Sequence, residues 1–148
     1  MPADAIRSGC SVLISRDYQS DPNDSLSTQI YSLLISWQCD DGENSTIGTF
    51  PVEGASPEIV TIFYWDNENI ISLVKWPMSS QAADYSGNYY KIYAYTYNNH
   101  KFPRRFFENT KIERNFPPGF DGLSRDGTVI NYPFKDIKSI KRKLREAR

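Results

Sequence analysis

Apolar and polar residues alternate along Cys10-Ser-Val12-Leu-Ile14 and again along Ile35-Ser-Trp37-Gln-Cys39, and the two runs mirror each other about the polar stretch Asp21-Pro-Asn-Asp-Ser25. A period of two marks a strand with one buried face. Antiparallel pairing at positions that sum to 49 sets Cys10 against Cys39, Val12 against Trp37, Ile14 against Ile35, Arg16 against Leu33 and Tyr18 against Tyr31. A slip of one residue would turn this largely apolar set toward water, so the mirrored register is the one predicted. Opposed residues have Cα atoms about 4.5–5.5 Å apart, within reach of a disulfide. The chain's two cysteines, Cys10 and Cys39, are therefore expected to form a cross-strand bridge. Closing a loop of about 30 residues is worth roughly 3–4 kcal/mol in the chain-entropy account.

Further along, Thr46 to Val52 predicts a short edge strand ended by Pro51, with turn chemistry on either side. Ile59 to Trp65 and Ile70 to Trp76 predict a second hairpin around the polar loop Asp66-Asn-Glu-Asn69. Pairs summing to 135 would set Ile62 against Leu73 and Val60 against Lys75. Phe63 and Trp65 project opposite to Ile62 and Tyr64, which places this hairpin in a sheet covered on both faces. Pro77 to Gly87 reads as a polar loop. Tyr89 to Tyr97 is then a strong strand whose one face carries Tyr89, Lys91, Tyr93, Tyr95 and Tyr97, and whose other, core-like face carries Tyr90, Ile92, Ala94 and Thr96.

Asn98 to Lys101 reads as a turn, and Phe102 to Phe107 as an edge or irregular strand because Pro103 cannot donate to a ladder. Asn115 to Gly122 is loop by composition, with Thr128 to Tyr132 a last short strand. Phe134, Ile137, Ile140 and Leu144 recur at helical spacing, with Pro133 suited to the first helical position. Asp136 early and Lys141, Arg142, Lys143 and Arg145 late complement the helix dipole. The expectation is one α+β domain over residues 1–148: a mainly antiparallel sheet of about six strands, open or partly closed into a barrel, with one C-terminal amphipathic helix packed on it.

Ten Tyr and eight Phe, with 39% hydrophobic residues overall, agree with a strand-rich core. No run of 18 apolar residues occurs, and Met1 to Gly9 lacks the basic flank and apolar stretch of a signal peptide, so a soluble chain is expected. A bridged cysteine pair points to the periplasm or outside of the cell, while the opening Met-Pro-Ala-Asp leaves the cytoplasm open. Charge is polarised. Residues 1–100 hold four Lys or Arg against 12 carboxylates, and residues 101–148 hold 13 against six. The two parts should attract, so the basic segment is expected to lie beside an acidic sheet; two separate charged surfaces are the sharper alternative.

Catalytic signatures are thin. His100 is the single histidine, in a predicted turn with no nucleophile nearby, and with Lys101, Arg104 and a carboxylate it defines the alternative reading, a small hydrolase or nuclease. Cys10, Cys39 and His100 lack zinc-site spacing, and Asp121 to Gly127 lacks the ligand alternation of a calcium loop, so neither metal nor cofactor is expected. Basic residues among Phe102, Phe106 and Phe107 lack any accompanying nucleic-acid-binding signature, so nucleic acid is not the expected partner. Asn23 and Asn44 open glycosylation-type triplets. What remains is recognition. A row of phenols offers apolar area with polar tips, suited to a protein partner, a peptide or a sugar. The expected binding residues are Tyr89, Tyr93, Tyr95 and Tyr97 with the acidic loop residues Asp40, Asp41, Glu43, Asp66 and Glu68. The function expected is a non-enzymatic extracytoplasmic binding module, of the periplasmic inhibitor or immunity type.

Overall fold

The computed structural model describes residues 1–19, 30–80, 84–98 and 105–148. The segments holding Asp21 to Ser25, Asn23, His100, Lys101, Phe102, Pro103 and Arg104 lie outside the described residues. Nine strands and two short helices follow in the order β1 (Cys10–Tyr18), β2 (Tyr31–Cys39), β3 (Asn44–Phe50), β4 (Glu58–Trp65), β5 (Asn69–Ser80), β6 (Tyr85–Tyr97), β7 (Phe106–Glu108), α1 (Thr110–Glu113), β8 (Gly119–Leu123), β9 (Val129–Ile130) and α2 (Ile137–Glu146). The strands form two antiparallel sheets, β1-β2-β3 and β4-β5-β6-β8-β9, with β7 also paired to β6. The count exceeds the six expected: β7 and β9 overlap the short segments expected at Phe102 to Phe107 and Thr128 to Tyr132, whereas β8 and the division into two sheets were not expected.

The first hairpin pairs in the mirrored register, with Cys10 opposite Cys39, Val12 opposite Trp37 and Tyr18 opposite Tyr31. Cys10 and Cys39 are bonded through sulfur. Their backbone groups bond elsewhere, Ala3 N–H to Cys10 O and Cys39 N–H to Glu43 O. This pair therefore does not exchange ladder bonds, which is the closer of the two antiparallel spacings.

The second hairpin corrects the predicted register. Phe63 pairs with Ile71 and Ile62 with Ser72, and the register shifts between Ile59 and Thr61, so Val60 is bulged. Asn69 joins the strand because it is buried and its Oδ1 accepts from the Thr96 hydroxyl at 2.6 Å. The loop shrinks to Asp66, Asn67 and Glu68, and the first two take left-handed φ values of 54° and 58°, which Asp and Asn tolerate.

Two segments expected to be loops are strands. Pro77 to Ser80 and Tyr85 to Gly87 extend the β5–β6 hairpin, with Pro77 opposite Asn88. Proline is tolerated there because β4 ends at Glu58 opposite Lys75, leaving β5 without a neighbour on that side. Gly119 to Leu123 pairs with β6 through Gly87 opposite Gly122. A Cβ on Gly87 would lie 2.1 Å from Asp121 O, and one on Gly122 2.3 Å from Ser86 O. Two glycines let β6 and β8 meet.

Three layers result. The small sheet packs Val12, Ile35, Trp37 and Phe50 onto Ile70, Val74, Trp76, Tyr93 and Tyr95 of the large sheet. The opposite face of the large sheet packs Phe63, Ile71, Leu73, Tyr90, Ile92 and Ala94 against Phe116, Tyr132, Ile140 and Leu144. Helix α2 starts later than expected: Asp136 is its N-cap, accepting from Ser139 N–H at 2.7 Å, and Pro133 stands outside it. Burial of Ile140 and Leu144 stabilises its docking by on the order of 2 kcal/mol each. The four-residue helix α1 has no periodic signal in the sequence.

Candidate binding surface

Strand β6 sets the geometry because its Tyr89-to-Tyr97 face passes from the open part of the β5–β6 hairpin to beneath the small sheet. The small sheet covers the middle of that face. Tyr93 and Tyr95 are 8% and 5% exposed. Tyr93 packs at a tilt against Phe50 with ring centres 4.7 Å apart, and a Cβ on Gly48 would lie 2.4 Å from the Tyr95 hydroxyl. Burial pushes the Tyr93 phenol up to about 12 and the Tyr95 phenol higher, so both stay neutral. These two tyrosines belong to the core, and the stripe is not one continuous surface.

At one end of the face, Tyr97 meets the acidic turns. Its hydroxyl donates to Glu43 Oε2 at 3.2 Å, and its backbone N–H donates to Glu68 O at 2.7 Å. Glu43 is a hub: it accepts from Trp37 Nε1 at 2.8 Å and pairs with Arg7 at 3.1 Å and Arg105 at 2.8 Å. Asp41 also holds Arg7, at 2.6 Å, and its carboxyl lies below the usual range through the Glu43 N–H and that guanidinium. Cys39 Sγ is 3.6 Å from Glu43, a contact without a proton since the sulfur is bridged. Cys10, Cys39 and Glu43 cluster closely enough to suggest a metal site. The sulfurs are bonded to each other, however, and two guanidiniums occupy the carboxylate. Asp40 is exposed, and Asp66 pairs with Arg148. The acidic residues thus gather at the Tyr97 end, about 26 Å along the strand from Tyr89.

Tyr89 lies in a trough at the other end, beyond the cover. One hollow of about 390 Å³ is lined by Glu53, Trp76, Met78, Tyr89, Lys91 and Tyr93. An adjoining one of about 330 Å³ is lined by Met78, Tyr85, Tyr89, Phe120, Ser124 and Arg125. Trp76 is at the buried bottom, its Nε1 donating to Pro51 O at 2.8 Å. Lys91 Nζ stands 4.7 Å from the Tyr93 ring centre and the Arg125 guanidinium 5.5 Å from that of Tyr85. Sequence reasoning missed Trp76, Met78, Tyr85, Phe120 and Arg125, because it assigned most of them to loops. One signal was present: Tyr85 and Gly87 continue the parity of the tyrosine face.

The Glu113 carboxyl is raised to about 7 by burial and then by hydrogen bonding with Glu108. It accepts from Ala94 N–H at 3.2 Å, on the flank of β6 between β7 and β8.

Charge segregates by layer. Among the described residues, those of 1–57, with the small sheet, carry six carboxylates and two cations; those of 58–130, with the large sheet, carry eight carboxylates and six cations; residues 131–148, with α2, carry two carboxylates and seven cations. Helix α2 docks on the face opposite the acidic sheet; Arg105–Glu43 ties the large sheet to the small one, and Arg148–Asp66 ties the chain after α2 to the large sheet.

Compared with protein-family models, curated protein sequences and solved structures, the chain matches none.

Proposed function

We propose that the protein is a non-enzymatic binding module of an oxidising, extracytoplasmic compartment, of the inhibitor or immunity type, which neutralises a protein partner by surface complementarity. The trough around Tyr89 carries this reading. Partly exposed aromatic side chains with Met78 and a polar rim are the composition of interface cores, where rigid rings give contact area at low entropic cost. The exposed Asp40, Asp41 and Glu68 at the Tyr97 end supply a second, acidic contact that steers a cationic region of the partner. The Cys10–Cys39 bridge is compatible with that compartment. Among the described residues no helix is long and apolar enough to cross a membrane.

The test is affinity capture from the native host with the wild-type chain and a Tyr89→Ala/Phe120→Ala variant of unchanged circular dichroism. A protein retained stoichiometrically by the wild type, inhibited by it, and lost from the variant supports the reading. Equal retention by both chains, or consumption of the captured molecule by turnover, overturns it.

A further inference from the structure

We infer that the trough takes an extended peptide segment of the partner, with an acidic side chain at the Arg125 end and a bulky apolar side chain over Met78 and Tyr89. This rests on the protein-binding reading above and specifies its chemistry. The two hollows join across Met78 and Tyr89, and β6 from Tyr85 to Lys91 spans about 20 Å, the length of roughly six extended residues. The middle of the floor is the Phe120 ring, whose Cζ lies 2.8 Å from where a Cβ on Gly87 would stand, so the missing side chain makes room for the ring.

The two ends differ in charge. Among the described residues neither Arg125 nor Lys91 has a carboxylate within salt-bridge distance. Asp126, beside Arg125, has its Oδ1 engaged by the Ser124 hydroxyl and by Thr128 N–H at 3.0 Å. Those bonds tie the Asp126 carboxylate into its own turn and leave the guanidinium over Tyr85 without a salt bridge among the described residues, available to a carboxylate. The Lys91 end is different, since Glu53 lines the same hollow. A donor and an acceptor side by side match the N–H and C=O groups of a peptide backbone better than a second anion. Between the ends, Met78 is 37% exposed, and its flexible thioether adapts to varied apolar side chains. The approach is by side chains and not by strand addition, because β5 and β8 already flank β6 here.

Panning a random decapeptide display library against the whole protein tests the assignment. Enriched peptides should carry Asp or Glu four to six positions from an aromatic or branched apolar residue. The best of them, as a labelled synthetic peptide, should bind at least tenfold more weakly to Tyr89→Ala and to Arg125→Glu, and panning on R125E should select Lys or Arg at the acidic position. No Tyr89-dependent peptide, or enrichment indifferent to R125E, overturns the inference; so does a glycan-array ligand lost on Tyr89→Ala, which would make the trough a sugar site. If the captured partner is lost from Tyr89→Ala/Phe120→Ala but unaffected by R125E, the peptide assignment falls and the protein-binding reading stands. Indifference of the partner to both variants removes that reading as well.

Discussion

Two stretches of one strand face carry the same kind of residue and do different work. Around Tyr93 and Tyr95 the face is roofed by the small sheet, and phenols become core; around Tyr85 and Tyr89 the roof has ended, and the same residue type lines an open trough. Residue type and periodicity are shared, so the difference comes from coverage. A three-stranded sheet spans only part of a 13-residue strand. The open part of this face is what the smaller layer leaves uncovered.

The sharpest way to break this contrast is to truncate one tyrosine on each side. Tyr95→Ala should cost about 3–5 kcal/mol in urea unfolding, as for other large aromatic truncations in cores. An equal cost for Tyr89→Ala would dissolve the distinction. Removing the staple of the roof comes next: Cys10→Ser/Cys39→Ser should lose about 3 kcal/mol, with hydrogen exchange rising first in β1 and β2. Protection unchanged in those strands would show that packing alone holds the cover.

Closer still is the contact of roof and strand. Gly48→Ala forces the Tyr95 ring to shift and should cost about 1–3 kcal/mol. A double-mutant cycle with Tyr95→Leu should return a coupling of on the order of 1 kcal/mol, and strict additivity would place Tyr95 elsewhere.

A smaller effect is expected from pH. Glu113 has a folded pKa of about 7, above its unfolded value, because burial and Glu108 favour the protonated form. The folded state therefore holds the extra proton, and this contribution is fully present below the unfolded pKa and fades as pH rises through about 7. The group is only partly buried, so screening reduces the change to about 1 kcal/mol between pH 5 and 8. Glu113→Gln should flatten that slope in urea melts while leaving stability at pH 5 within about 0.5 kcal/mol. Smallest of all, Tyr89→Ala should cost about 1 kcal/mol or less, because its ring is only partly packed on the core, although the proposed peptide should bind tenfold more weakly.

Much of this fold was legible. The first hairpin reads correctly because alternating residues with one buried face tie its register to the pattern, and Val12, Ile35 and Trp37 would all be exposed by a slip. Helix α2 is visible in Ile140 and Leu144, although its start is set by the Asp136 cap and not by Pro133. The second hairpin fails by one position for a tertiary reason, the Asn69–Thr96 bond across to β6. Strand β8 hides because Gly119 and Gly122 look like loop residues until a neighbour needs the space their missing side chains leave. The trough is the least legible part. Coverage depends on where the small sheet ends, and no local spacing in β6 encodes that.

The layered charges carry one more consequence. A formal charge of −1 suggests a nearly neutral particle, yet among the described residues −4 sits on one outer layer and +5 on the other, about two layer spacings or 20 Å apart. Such a molecule has a large dipole moment and turns in the field of any charged body before touching it. Its tumbling toward a partner is already biased, α2 leading toward negative surfaces and the disulfide sheet toward positive ones. Raising the ionic strength shortens the reach of that bias to about 8 Å at physiological salt. Salt should therefore slow productive encounters more than it loosens the complex once formed.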